Sequence, residues 1–422
     1  MQVLRLAEKV LPYVSRFITH FKIEQHPQIP MIRYFTAGES HGEALIGIIE
    51  GVPAGVPLTA EDINEHTRRR WLGFGRGGRA KIETDAVHFY SGVRFSETMG
   101  SPIALKLENM SYRKDKADWP TVMAVDGTGE GIEKITLPRP GHADLTGVQK
   151  YGFDDIRPVI DRSSARETAM RVAACSVARQ FLKHVGIEIG SHVVRIGAVG
   201  YDHPDQYQDR VAALLASGGA SALYRAADES EVRMLDPTLS ERCIEHIKDL
   251  KKQGDSLGGV YEVIVTGVPV GLGSYVQWDR KLDGLLAQAI LSIQAQKAVE
   301  IGDGVLASIL PGSQIHDEIY QSGADFPRRT NRAGGIEGGM SNGMPIVIRG
   351  YMKPIPTLIK PLETADIVTG KSQPTRYERS DVTSVPAAST VAEAVVAHVL
   401  ANAFLEKFGG DSLAEIKTRY GG

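Results

Sequence analysis

Two histidines beside glycines are the residues of this chain best suited to moving a proton near neutral pH. They are His41 in Gly38-Glu39-Ser40-His41-Gly42 and His142 in Pro138-Arg139-Pro140-Gly141-His142-Ala143-Asp144. Asp381, in Arg379-Ser380-Asp381, is a carboxylate that can take a proton. Around them lie groups suited to anions. Residues 68–79 hold five arginines and four glycines. Guanidinium forks clasp phosphate or carboxylate, and glycine leaves backbone N–H groups accessible. Arg162-Ser163-Ser164 precedes an alanine-rich helical pattern, and Ser164 with Glu167 has the spacing of a capping box. A helix start lined by hydroxyls suits a phosphate. Acid–base work on a small polyanion is the chemistry these types and spacings describe. Taken one at a time, each also has a plain reading as a turn residue or a solvated loop.

These groups need elements to hold them. Leu45–Glu50 reads as a strand, turned by Gly51-Val52-Pro53-Ala54-Gly55, and Thr59 with Asp62 marks the start of a helix. A second helix runs from Ser164 to about His184. The pattern then begins again. Val260–Thr266 is a strand, and Gly267-Val268-Pro269-Val270-Gly271 repeats the earlier turn. Gly343-Met344-Pro345 echoes Gly100-Ser101-Pro102, and Arg379-Ser380 echoes Arg162-Ser163 before another long helix, read as capped by Thr390 with Glu393 and ended near Gly409. From Gly51 to Arg162 is 111 residues and from Gly267 to Arg379 is 112, which predicts an internal duplication with halves of about 31–200 and 258–410. Residues 201–256 read as a charged helical insertion, broken at Gly218-Gly219 and Asp236-Pro237. No glycine run has the spacing of a P-loop or of a dinucleotide-binding turn. A phosphate-bearing cofactor must therefore be held by scattered loops.

The 422 residues are 42% hydrophobic and 23% charged, an ordinary balance for a globular chain, and the formal net charge is -3. An arginine-glycine RNA-binding segment is the competing reading of residues 68–79. The negative net charge and the embedding of that loop in a folded body oppose it, so no nucleic-acid partner is expected. Cys175 and Cys243 show neither metal-ligand spacing nor a disulfide framework; both read as structural, no metal is expected, and a reducing, cytoplasmic setting fits. No run of about 18 uncharged apolar residues occurs, so no membrane span is expected. Val3, Leu6, Val10, Val14, Phe17 and Phe21 recur at helical steps. Lys9, Arg16 and Lys22 interrupt them, unlike a secretory signal. Residues 1–30 are read as an extension before a single domain of residues 31–422.

Gly38–Gly42, Arg70–Arg79, Pro138–Asp144, Arg162–Thr168, Gly302-Asp303-Gly304 and Arg379–Asp381 together resemble chorismate synthase, over essentially all of residues 31–422. The resemblance implies an α+β fold, a β-α-β sandwich with helices between antiparallel sheets, and usually a homotetramer. It implies a lyase that makes chorismate from 5-enolpyruvylshikimate 3-phosphate by anti 1,4-elimination of phosphate. Reduced FMN is required without net redox change, and NADPH serves only as indirect reductant. By the same resemblance His41 stands near the leaving phosphate, His142 protonates the reduced flavin, and Asp381 helps remove the C6 proton. Ser40, Arg70, Arg76, Arg79 and Arg139 are implied for the substrate. Arg70 and Arg76 also match positions of nicotinamide dinucleotide phosphate contact, although a polyanionic substrate is the better chemical match. Arg162, Ser163, Ser164, Gln294, Ala295, Gly338, Lys353, Pro354, Ile355, Pro356, Thr357 and Arg379 are implied for the flavin. An external flavin reductase or other reductant is expected as partner. A flavin oxidoreductase is the competing enzyme class, and it predicts reductant consumed in step with product.

Overall fold

The computed structural model describes residues 31–77, 82–114, 117–323, 326–376 and 381–421. The expectations for residues 1–30, Arg79 and Arg379 therefore lie outside the described residues.

The first half holds β1 (Arg33–Ala37), β2 (Ala44–Glu50), α1 (Ala60–Arg69), β3 (Val87–Ser91), β4 (Ile103–Glu108), α2 (Asp144–Tyr151), α3 (Arg157–Ser163) and α4 (Glu167–His184). Its four strands form an antiparallel sheet in the order β1-β2-β4-β3. β2 alternates: Leu45, Gly47 and Ile49 face inward, while Ile46 and Ile48 face outward. The inner face packs on α4. Thr59 caps α1 with the reciprocal bonds to Asp62 read from the sequence.

Next come β5 (Glu188–Ile196), β6 (Val199–Gly200), α5 (Gln208–Asp228), α6 (Pro237–Lys252), β7 (Gly259–Thr266), α7 (Leu282–Leu291), β8 (Gln296–Ile301), β9 (Ile346–Met352), α8 (Val385–Phe408) and α9 (Leu413–Gly421). The second sheet is antiparallel throughout, in the order β8-β9-β7-β5-β6. Both its faces are covered. Val263 and Val265 point into the main core, and Ile264 points to a second cluster with Leu223 and Ala227 of α5. α5 leaves helical geometry at Gly218 and Gly219, and Asp236 caps α6 at Pro237, the two breaks expected there. α8 is apolar on every side and packs on both the second sheet and α4. By length and hydropathy α8 is apolar enough to cross a membrane, but 83% of its most apolar window is buried inside the protein, as befits a core helix.

Two expected caps are not formed. Arg157–Ser163 is itself helical, and α4 starts only at Glu167, with Arg166 before it making no side-chain cap. Ser164 Oγ accepts from the Arg166 N–H at 3.2 Å, closing a local turn, while the Glu167 carboxylate accepts from Thr36 Oγ1 at 3.0 Å. Thr390 and Glu393 lie in the interior of α8, fully buried, so they cap nothing. Glu393 is instead the acceptor of a buried charge cluster. Arg69 donates to it at 2.6 and 2.8 Å, Arg179 at 2.6 Å and Arg233 at 3.3 Å. Asp228, 2.5 Å from Arg69 Nε, supplies a second carboxylate. The segment 201–256, in which no chemistry is legible, thus contributes Asp228 and Arg233 to a junction that also binds α1, α4 and α8.

Candidate active site

The Gly38–Gly42 turn leaves β1 and is held by α3. Gly38 has φ of 101°, and a Cβ there would lie 2.3 Å from the Ala44 carbonyl oxygen, so only glycine fits. The Ser40 N–H donates to the Asp161 carbonyl at 3.0 Å, and the His41 N–H donates to Asp161 Oδ1 at 3.2 Å. His41 Nδ1 lies 2.5 Å from the same oxygen, and its ring stacks on Trp119 with centroids 3.9 Å apart. Ser164 Oγ donates to Ser40 Oγ at 3.2 Å.

From this turn a run of contacts reaches several of the other sequence-predicted residues. Arg162 donates to the carbonyls of Thr36 at 2.8 Å and Gly38 at 3.2 Å, and remains exposed. Thr36 and Gln294 both donate to Glu167, Gln294 Nε2 at 3.3 Å. Ala295, with φ of 65°, has a backbone shape that costs a side-chain-bearing residue roughly 1–2 kcal/mol. Its carbonyl accepts from the Lys353 N–H at 3.0 Å. The Lys353 ammonium donates to the Gly141 carbonyl. A Cβ on Gly141 would lie 3.7 Å from Pro356. The Ile355 carbonyl accepts from Ser256 Oγ at 2.6 Å, anchoring the stiff Pro354–Pro356 segment. Thr357 Oγ1 accepts from Arg139 Nη1 at 3.1 Å. His142 Nδ1 hydrogen-bonds Asp144, which also pairs with Arg139 Nε at 2.8 Å. Burial works against ionisation of Asp144, but the hydrogen bonds from His142 and Arg139 outweigh it and hold the carboxyl well below its usual range.

The arginine loop joins through Trp71. The guanidiniums of Arg70, Arg76 and Arg166 stand 4.9, 5.5 and 5.8 Å from its ring. Arg76 Nη1 lies 2.9 Å from Asp381 Oδ2, and the Gly77 N–H donates to Asp381 Oδ1. Arg70 is buried and donates to Thr168 Oγ1 at 2.9 Å and to the Ala165 carbonyl at 2.8 Å. Ser163 Oγ is turned back to the Val159 carbonyl at 2.6 Å. Gly338 stands apart from this run in a turn with φ of 60°; Tyr275 is its nearest neighbour.

Residues 32–405 match the family model described as chorismate synthase. A chorismate synthase of Salinibacter ruber is 67% identical over 392 residues, covering 92% of this chain and 97% of the relative. One of Chlorobaculum tepidum is 57% identical and covers 92% and 96%. The chain belongs to the chorismate synthase family. A crystal structure of chorismate synthase has a similar fold, with a TM-score of 0.72 and 40% identity over 93% of this chain and 97% of that one. The activity is accordingly the lyase reaction of chorismate synthase, conversion of 5-enolpyruvylshikimate 3-phosphate to chorismate and phosphate.

Chorismate synthases use reduced flavin, and one feature of this chain tests whether such a group fits. Gln294 Oε1 is buried and has no hydrogen-bond partner among the described residues. A buried amide oxygen left so can accept from a water or from a bound group, and a flavin ring N–H is one such donor. The residues therefore fit. Two carboxylates at the site carried no signal strong enough to single out. Asp161 directly precedes Arg162-Ser163, and Asp144 closes a motif noted for its histidine, so neighbourhood was the available signal. For Trp119, nothing in the local sequence marks contact with His41.

Proposed function

We propose that this chain carries out the 1,4-elimination with His41 and His142 as its acid–base histidines and Asp381 as its proton-accepting carboxylate. The observation that carries the reading is the series of hydrogen bonds and chain neighbours that leads from Ser40 through Arg162, Gln294 and Lys353 to His142. Departure of a phosphate is eased by charge neutralisation or protonation at the leaving oxygen. His41 is the group to supply it. Ser40, Arg70, Arg76, Arg79 and Arg139 are assigned to the substrate's anionic groups, and Arg70 also donates to Thr168 Oγ1 and the Ala165 carbonyl. Reduced FMN, when bound, lends electron density to the breaking carbon–oxygen bond. Arg162, Gln294, Ala295 and Lys353–Thr357 form its bed, with Ser163, Ser164, Gly338 and Arg379 also assigned to it. His142, fixed by Asp144, holds a proton beside that bed. Asp381, oriented by Arg76 and by Ser384 Oγ at 3.0 Å, receives the substrate's C6 proton.

An anaerobic assay with the enolpyruvyl substrate tests this. Chorismate forms with catalytic amounts of chemically reduced FMN and does not form without it. Reductant consumed mole for mole with product would show an oxidoreductase instead. NADPH and an external flavin reductase, in the cytoplasm, keep the flavin reduced.

We further propose that the architecture is the helix-filled sandwich and arose by duplication. With the two-residue β6 set aside, each sheet runs first-second-fourth-third strand in chain order, β5 being the first strand of the second sheet. Gly51 and Gly267 share nearly the same left-handed φ, 79° and 78°, and a Cβ on either would meet the carbonyl just before the first strand of its sheet, Met31 or Gly186. Residues 201–256 are then an insertion and residues 1–30 an extension. A homotetramer fits the outer face of the first sheet. Phe35 stands opposite Ile48 there and is 67% exposed, beside exposed Ile46. Light scattering at assay concentration checks this, with a mass of four chains expected and a monomer against it.

A further inference from the structure

Each histidine of the site is backed by a buried carboxylate, but the two carboxylates differ. Both oxygens of Asp144 are engaged by Arg139, Oδ2 at 2.8 Å from Nε and Oδ1 at 3.1 Å from Nη2. Asp161 is also fully buried, yet only its Oδ1 is hydrogen-bonded, to the ring and backbone N–H of His41. Its Oδ2 has no hydrogen bond, and Arg157 Nη1 stands off at 3.9 Å. Keeping a carboxylate oxygen buried and without a hydrogen bond is unfavourable.

We propose that Asp161 is a positioning residue for the elimination. It takes the Nδ1–H of His41, fixes the tautomer, and sets its one hydrogen-bonded oxygen against the imidazole, with the Arg157 guanidinium 3.9 Å from the other oxygen. Nε2 is thereby the nitrogen that serves the leaving phosphate. The same residue sets the backbone of the turn, because its carbonyl holds the Ser40 N–H and its side chain the His41 N–H. Trp119 closes one face of the ring, so rotation about the Cβ–Cγ bond is blocked by the stack and by the Asp161 bond together. The imidazolium that forms between proton transfers gains a fixed counter-charge, which a neutral amide at the same place cannot supply. This proposal rests on the reading of His41 as the group beside the leaving phosphate.

The test uses the full-length enzyme with reduced FMN, anaerobically. Asp161→Asn lowers kcat by roughly ten- to 10²-fold, within the range of a misdirected acid–base group, with KM little changed. In a His41→Ala background the same substitution changes kcat by less than about twofold, because the two residues act as one unit. Full additivity of the two losses overturns the proposal while leaving His41 its role. A His41→Ala variant at wild-type turnover removes that role itself, and the proposal with it. The ring nitrogens of His41 give a readout that does not need the variant to fold. Nitrogen-15 spectra of the wild-type protein show Nδ1 protonated, and a neutral ring protonated only on Nε2 overturns the proposal.

Discussion

Replacing His41 by alanine lowers turnover by roughly 10²-fold or more while reduced FMN still binds. The separation is the content of the prediction. His41 extends from a turn on β1 and is held by Asp161 and Trp119. Most groups assigned to the flavin lie on or just after α3, on the 294–295 corner and on the 353–357 segment. Removing the imidazole takes an acid–base group from the leaving phosphate and leaves that bed intact. Single-turnover measurement under anaerobic conditions isolates the chemical step, and flavin absorbance reports binding. His142→Ala produces a loss of similar order by a different route. Its ring is anchored by Asp144 and Arg139, which also clamps Thr357 of the flavin segment. Near wild-type rates in both variants would sink the assignment of the pair.

Glu393→Gln destabilises the protein by roughly 3–5 kcal/mol, the cost typical of breaking a buried charge pair from one side. Glu393 sits inside α8 with no exposure and receives Arg69, Arg179 and Arg233 from three other parts of the chain. An amide accepts at one atom only and carries no charge, so these guanidiniums lose the main carboxylate that balances them. Urea unfolding of both proteins measures the difference, and a shift below about 1 kcal/mol counts against the junction's importance. The acid response gives a second check. Burial favours the neutral acid, yet the charges of Arg69 and Arg179 outweigh it and hold the Glu393 carboxyl well below its ordinary 4.5. A depressed folded value means stability present above the unfolded value and lost as pH falls through the folded one. Wild type therefore loses stability on acidification below about pH 4.5, and Glu393→Gln lacks that component.

Local signals in the chain singled out several residues that the structure brings near one another. Glycine at position 38, an imidazole at 41 and 142, and serines after Arg162 are short-range statements about turn shape and proton chemistry, and the structure brings Ser164 to Ser40 and Arg162 to the Thr36 and Gly38 carbonyls of the same turn. Helix ends were legible where a cap stays local, as Thr59 with Asp62 shows. They were misread where the capping residue found a stronger distant partner. Glu167 goes to Thr36, and Glu393 to arginines from three other segments, and neither choice is visible from three-residue spacing.

What the sequence determined by itself was the family, the residue types at 41, 142 and 381 that can move a proton, and the repeat of Gly-Val-Pro turns with their long following helices. Each of these depends on residue type and on separation along the chain, and both are written there. Tertiary structure alone decided the pairings: Asp161 on His41, Trp119 over the same ring, Arg76 on Asp381, and Glu393 at the centre of the arginines. Such contacts join residues from tens to hundreds of positions apart. Their energies come from burial and from the exclusion of water, which exist only once α4 and α8 have packed with the sheets.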